Sequence, residues 1–172
     1  QGPTTDPIEG LRWVAFHRYT GARLMQLRRR QVALIRSLDP DAVVSPNDYA
    51  FIDGFIPWDY SQVADYSDIV EVDPYVSYDE QKNPGRGRYN PGFATKLMSD
   101  LTGRRVRTIV QAFPYGGYVP LPADVWTWTS QALRSGATDI SLYAMDNPRF
   151  TNRPVYDAML GIASSMKTAR LP

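Results

Sequence analysis

From Ile8 to Leu38 the apolar residues recur at three- and four-residue steps. Trp13, Phe16, Leu24, Leu27, Leu34, Ile35 and Leu38 mark one helical period. Asp6-Pro7 is a helix start, with Asp6 as N-cap and Pro7 at the first helical position. Asp39-Pro40-Asp41 ends the helix, and Gly21 is a candidate bend inside it. After Leu38 the period alternates between that of strands and that of helices. Residues 42–47, 69–74, 106–112 and 139–145 read as strands, the first with Pro46 near its end. Residues 59–66 read as a short helix. A helix over 91–102 stops at Gly103, and one over 122–135 has Gly136 just past its end. The last helix, 154–167, puts Val155, Met159, Ile162, Ala163 and Met166 on one face. Strands separated by helices predict parallel strands joined by right-handed crossovers.

Two α/β architectures fit that order, an open doubly wound sheet and a barrel. Alternation within the strands separates them. Val70 and Val72 face one way, and Ile69, Glu71 and Asp73 the other. Ile140, Leu142 and Ala144 oppose Ser141, Tyr143 and Met145, while Val43, Ser45 and Asn47 share a face. A strand with helices on both sides is apolar on both faces. A barrel strand turns one face to a lumen whose top holds the site. The pattern therefore predicts a barrel. A full (β/α)8 barrel has eight strands and about 250 residues; this chain has 172 and begins with a helix that follows no strand. The expectation is the second half of a (β/α)8 TIM barrel: one incomplete domain over 1–172, with a leading helix and four βα units. Half a barrel leaves two sheet edges open. It therefore calls for a partner, either an N-terminal half or a second copy by self-association.

Composition narrows the chemistry by exclusion. The net charge of +1 gives no argument for nucleic acid or membrane binding. Arg28-Arg29-Arg30 splays around its helix and reads as a solvated face. With no cysteine and one histidine, His17, a metal site or a histidine-based triad has little to work with, and no cofactor is expected. Gly85 and Gly87 lie between basic residues but lack the context and Lys-Ser/Thr ending of a phosphate loop. The first ten residues lack the basic and apolar regions of a signal peptide. Secreted and cytoplasmic locations both stay open. Tyr (11), Phe (6), Trp (4) and 14 prolines mark the chain more than its charge does, and aromatic loops suit flat or sugar-like ligands.

Several segments, in this order, carry a resemblance: L-I-R-S-L-D-P-D before V-V-S-P-N, then I-V-E-V-D-P-Y, T-I-V-Q-A-F, and L-P-A-D-V-W-T-W-T-S-Q-A-L-R-S-G-A-T-D-I-S-L-Y. Together they resemble the C-terminal half of the catalytic barrel of clan-A glycoside hydrolases, nearest the microbial beta-galactosidase group and its uncharacterised relatives. The resemblance implies an acid/base glutamate ending strand four, upstream of this chain. It also implies a nucleophile ending strand seven, where this chain has Gln111. An amide cannot act as that carboxylate. The three glutamates, Glu9, Glu71 and Glu80, do not match the position.

Glycoside hydrolysis needs two carboxyl groups about the bond. Asp73 is the first candidate for chemistry, with Gln111 at the position the resemblance marks. Glu71 lies on the same strand face, about 6–7 Å from Asp73 at Cα. Glu71 has a second reading, as a deep lumen residue paired with an arginine such as Arg107. Asp146 follows the last strand. Asn47 and Tyr143 are candidate hydroxyl-binding groups. Trp58, Tyr75, Phe113, Tyr115 and Tyr118 are candidate stacking rings, and at least one of Trp126 and Trp128 belongs to the core. The expected function is a carbohydrate-active, glycoside hydrolase-like barrel portion binding a sugar at its strand ends, catalytic when its other half is present. The alternative is a non-catalytic sugar-binding or scaffold barrel that lacks the nucleophile. An aldolase-type barrel fits less well, for want of a lumen lysine and a phosphate loop.

Overall fold

The leading helix, α1, spans Pro7–Leu38 without a break. Asp6 caps it by accepting from Ile8 N at 2.8 Å and Glu9 N at 3.3 Å, and Pro7 sits at its first turn. Gly21 does not break it and is buried. In this computed structural model, the described residues are 6–47, 59–76, 87–115, 118–144 and 151–168. A 3-10 turn (Tyr60–Asp65) follows, then β1 (Ile69–Val72), α2 (Asn90–Thr102), β2 (Arg105–Gln111), α3 (Pro122–Arg134), β3 (Asp139–Tyr143) and α4 (Arg153–Thr168).

The three strands form one parallel sheet in sequence order. Glu71 pairs with Arg107 in the first register, and Gln111 with Tyr143 in the second. The expected first strand, 42–47, is not a ladder strand. It touches β1 through one parallel bridge, Asn47 to Glu71. Asp68 N and Ile69 N both donate to Val44 O, at 2.9 and 3.4 Å. The Asp68 carboxylate accepts from Val44 N and from Arg36 of α1, both at 2.8 Å. Val44 N, then Arg36, holds the Asp68 carboxyl below the usual range. Backbone bonds to Val44 O and the Asp68 carboxylate thus hold this segment beside the sheet, and Pro46 removes one of its backbone donors. Three parallel strands with helices packed on them form a partial (β/α) barrel.

Two apolar clusters cover the helix side of the sheet. Val70, Val72 and Val106 pack with Met25 and Val32 of α1 and with Ala94 and Met98 of α2. Val110 packs with Val125 and Trp128 of α3 and with Val155, Met159 and Ile162 of α4. Trp128 is the core tryptophan, while Trp126 is exposed. On α4 the buried face is Val155, Ala158, Met159 and Ile162; Ala163, expected there, is exposed. The Thr95 and Thr108 hydroxyls share a hydrogen bond of 2.7 Å, so both are satisfied where α2 crosses β2. Gly103 caps α2 at φ 59° and Gly136 follows α3 at φ 101°, conformations that disfavour a Cβ. A Cβ at Gly136 would also lie 3.0 Å from Ser99 Oγ.

The sequence expectation for α1 is corrected most. Its buried residues are Gly21, Met25 and Val32. Of the expected face, Leu24 packs partly on the core, but Phe16, Leu27, Leu34, Ile35 and Leu38 are exposed. At 3.6 residues per turn the leucine row lies about 140° around the axis from Met25 and Val32. The sheet takes the narrower strip and leaves the leucines facing outward. His17 stacks on Trp13 at 4.0 Å between ring centroids, a packing role. Arg29 reaches Gln62 and Asp65, each at 2.6 Å, so the arginine run ties α1 to the 3-10 turn.

Candidate functional site

Val70, Val72, Val106 and Val110 face the helices, so alternation turns their neighbours to the other side. That face carries Ile69 and Glu71 from β1. It carries Arg105, Arg107, Ile109 and Gln111 from β2, and Asp139, Ser141 and Tyr143 from β3. Towards the strand starts its charges are paired. Arg107 Nη1 meets Glu71 Oε1 at 2.6 Å, the pairing expected for that glutamate. Arg105 Nη2 donates to both oxygens of Asp139, at 3.0 and 3.1 Å. The second pair is a feature that the strand spacing held, since Arg105 and Arg107 share a face, but that sequence reading did not draw out.

Towards the strand ends the pattern changes. Asp73, one residue past β1, is 2% exposed, and its Oδ1 has no hydrogen-bond partner. Burial pushes its carboxyl up to about 6, and the nearby Glu71 charge adds to this; hydrogen bonds from its own backbone and from the Asn47 side chain oppose it. Glu71 does act on Asp73, as the two-residue spacing suggests, but burial is the larger cause. Gln111, the last residue of β2, is also 2% exposed. Its Nε2 donates to Phe113 O at 3.0 Å, which fixes the amide orientation, and its Oε1 has no partner. Adjacent strands therefore end in two buried acceptors that lack donors.

Four rings gather beside them. Tyr75 lies 5.2 Å from Phe113, 5.7 Å from Tyr115 and 6.4 Å from Tyr143, ring centroid to centroid. Phe113 meets Tyr143 edge-on at 5.3 Å and Tyr115 at 5.8 Å. Edge-to-face contacts of this kind hold rings in fixed orientations. Tyr75 is buried, and Tyr115 and Tyr143 are exposed. Tyr115 and Tyr118 form an antiparallel bridge that turns the loop back, and Ala112 N donates to Tyr143 O at 2.6 Å.

The structure thus brings Asn47, Asp73, Tyr75, Gln111, Phe113, Tyr115 and Tyr143 to one end of the sheet. Glu71 is held deeper by Arg107. Tyr118 is drawn into a structural role: its hydroxyl donates to Asp124 Oδ2 at 2.7 Å, and the same carboxylate accepts from Leu121 N at 2.8 Å at the start of α3. Trp58 and Asp146 lie outside the described residues. Among the described residues no group of three or more His, Cys, Asp or Glu side chains is placed to hold a metal ion.

A partial (β/α) barrel with a polar and aromatic cluster at its strand ends defines an α/β-barrel protein. The sequence profile of glycoside hydrolase family 42, described as beta-galactosidase, matches residues 5–171. The chain belongs to that family, and its function is of the carbohydrate-active, hydrolase-like kind. No curated protein and no solved structure matches the chain.

Proposed function

We propose that the strand ends of this chain form part of a sugar-binding site, and that the chain acts as a glycoside hydrolase once the rest of a barrel is in place. One observation carries the reading. Two buried acceptors, Asp73 Oδ1 and Gln111 Oε1, lack donors beside a cluster of four aromatic rings. Sugar hydroxyls supply donors, and the apolar face of a sugar ring suits an aromatic surface. Asp73 is the carboxyl group offered to chemistry, since it is buried and holds its proton to about pH 6. The partner is a first half-barrel rather than a second copy. Among the described residues four α-helices and a 3-10 turn accompany three strands, so two copies would bring more helical elements than an eight-stranded barrel seats.

A second reading rests on Gln111. Its amide stands where the family resemblance implies the nucleophile, which favours a barrel that binds sugar without cleaving it. Aryl galactosides and galacto-oligosaccharides, offered to the chain joined with a first half-barrel, separate the two. Turnover is expected on the leading reading. Bound oligosaccharide without turnover establishes the second, and no sugar binding at all overturns both. Light scattering tests the partner: a monodisperse, cooperatively unfolding monomer of this chain alone would remove the need for one.

A further inference from the structure

The helix α1 carries a seam that its own sheet does not use. Alternating steps of four and three residues lead from Trp13 to Leu38 and pass through Leu24, Leu27 and Leu34. That is the heptad spacing by which two helices pack along each other. The seam lies on a different flank from Gly21, Met25 and Val32, the buried residues of α1. Leu27, Leu34 and Leu38 are 52%, 62% and 80% exposed, so little of the chain covers them. An open groove of about 670 Å³ follows the seam, its lining including Phe16, Arg23, Leu24, Leu27 and Arg30. Towards Leu38 a second groove of about 500 Å³ includes Leu34, Ile35, Val43, Ser45 and Pro46. That groove reaches segment 42–47, on the side of β1 that β2 does not occupy.

Charge decides what fits the seam. Between Pro7 and Leu38 stand seven arginines and one glutamate, in a chain of net charge +1. Arg12, Arg29 and Arg36 are paired with Glu9, Asp65 and Asp68. Arg23 and Arg30 flank the seam on one side, and Arg23 donates to the neutral Gln26 at 2.8 Å. Two copies of α1 pair badly along it. An antiparallel pair that sets Leu24 against Leu27 brings Arg23 beside Arg30 of the second copy. A parallel pair brings Arg23 beside Arg28 of the second copy. Like charges at flanking positions disfavour both. A helix with carboxylates at those positions is favoured in either direction. An anionic lipid surface is the other host of a basic amphipathic helix. His17, Thr20 and Gln31 fall within the seam, and such polar interruptions suit a facing helix better than an acyl layer.

From this we infer that the seam receives an amphipathic helix with acidic flanks, carried by the half-barrel that completes this chain. The inference rests on the partner reading above and names the chemistry of the contact. Its placement follows from the crossover rule. A parallel strand beyond segment 42–47 sets its helix on the flank of α1 that the two grooves mark.

Fluorescence anisotropy tests this with the full chain and labelled helical peptides of about 28 residues. One peptide has a leucine seam flanked by glutamates, one the same seam flanked by lysines, and one the acidic composition in scrambled order. The ordered acidic peptide is expected to bind about tenfold or more tighter than either other. Leu27→Gln with Leu34→Gln should weaken it about tenfold. Arg23→Glu with Arg30→Glu should turn the preference to the lysine peptide. All four side chains are exposed, so circular dichroism melting should be unchanged in both variants. Joined with a first half-barrel, the chain should no longer take the acidic peptide. Undiminished binding there overturns the assignment of the occupant and leaves the half-barrel reading to its own test. Equal binding of the three peptides, or none, overturns the inference. So does self-association of the chain that the two leucine substitutions abolish, which would make a second copy the occupant. Binding to phosphatidylserine vesicles without binding to any peptide overturns it in favour of a membrane surface.

Discussion

Glu71 and Asp73 stand two residues apart, yet they live in opposite circumstances. Glu71 has a guanidinium at 2.6 Å. Asp73 has hydrogen bonds from its own backbone and the Asn47 side chain, one bare oxygen and 2% exposure. The register explains the difference. Glu71 lies opposite Arg107 on β2, while the residue of β2 next on that face is Ile109. Among the described residues, one carboxylate thereby has a cation partner and the other has none. A carboxyl group whose proton is held by burial lowers stability at neutral pH, where that proton must leave.

The contrast can be broken from either side. The largest effect is expected for Arg107→Met, which strands the Glu71 charge. It should cost about 3 kcal/mol, read as a lower urea midpoint. The opposite sign is expected for Asp73→Asn. The folded-state carboxyl sits at about 6 against an ordinary 3.8, so the folded chain holds a proton that the unfolded chain has released. The stability from that proton is full below about pH 4 and lost as pH rises through 6. The variant should therefore gain up to about 3 kcal/mol over the parent chain at pH 8, and nothing at pH 4. Melting curves across that range check it; a variant less stable at pH 8 would mean that the charged form is well solvated. Gln111→Glu places a second carboxyl at the next strand end. It should lower stability at pH 8 by about 1–2 kcal/mol, with recovery at pH 5, measured the same way. The smallest effect belongs to an exposed pair. Lys96→Ala removes the partner of Asp100 on α2, and a change below about 0.5 kcal/mol is expected.

Much of this was legible in the chain. Period and capping residues place α1, α2, α3 and α4, and the Val70/Val72 alternation against Glu71/Asp73 identifies the lumen face. What sequence missed has physical causes. The face that α1 buries is decided by what lies opposite it, and two apolar rows on one long helix leave that choice to tertiary packing. Segment 42–47 has strand composition, but backbone pairing depends on a neighbour's register, and only Asn47 achieves it. Tyr118 looked like a stacking ring because its hydroxyl's partner, Asp124, is found only once the loop closes. Asp73 is identifiable as a strand-end carboxyl, whereas its lack of a cation among the described residues follows only from the strand registers.

The two ion pairs of the sheet have one more consequence, and it concerns alignment rather than free energy. Arg107–Glu71 ties β2 to β1, and Arg105–Asp139 ties β2 to β3. A slip of β2 by one residue would turn both arginines into the valines and methionines beneath the helices. The same slip would bring Val106 and Val110 out into the lumen. A two-residue slip keeps the faces but carries each arginine away from its acid. Salt bridges that contribute little to how firmly the sheet holds can thus decide which of its possible pairings the folding chain keeps.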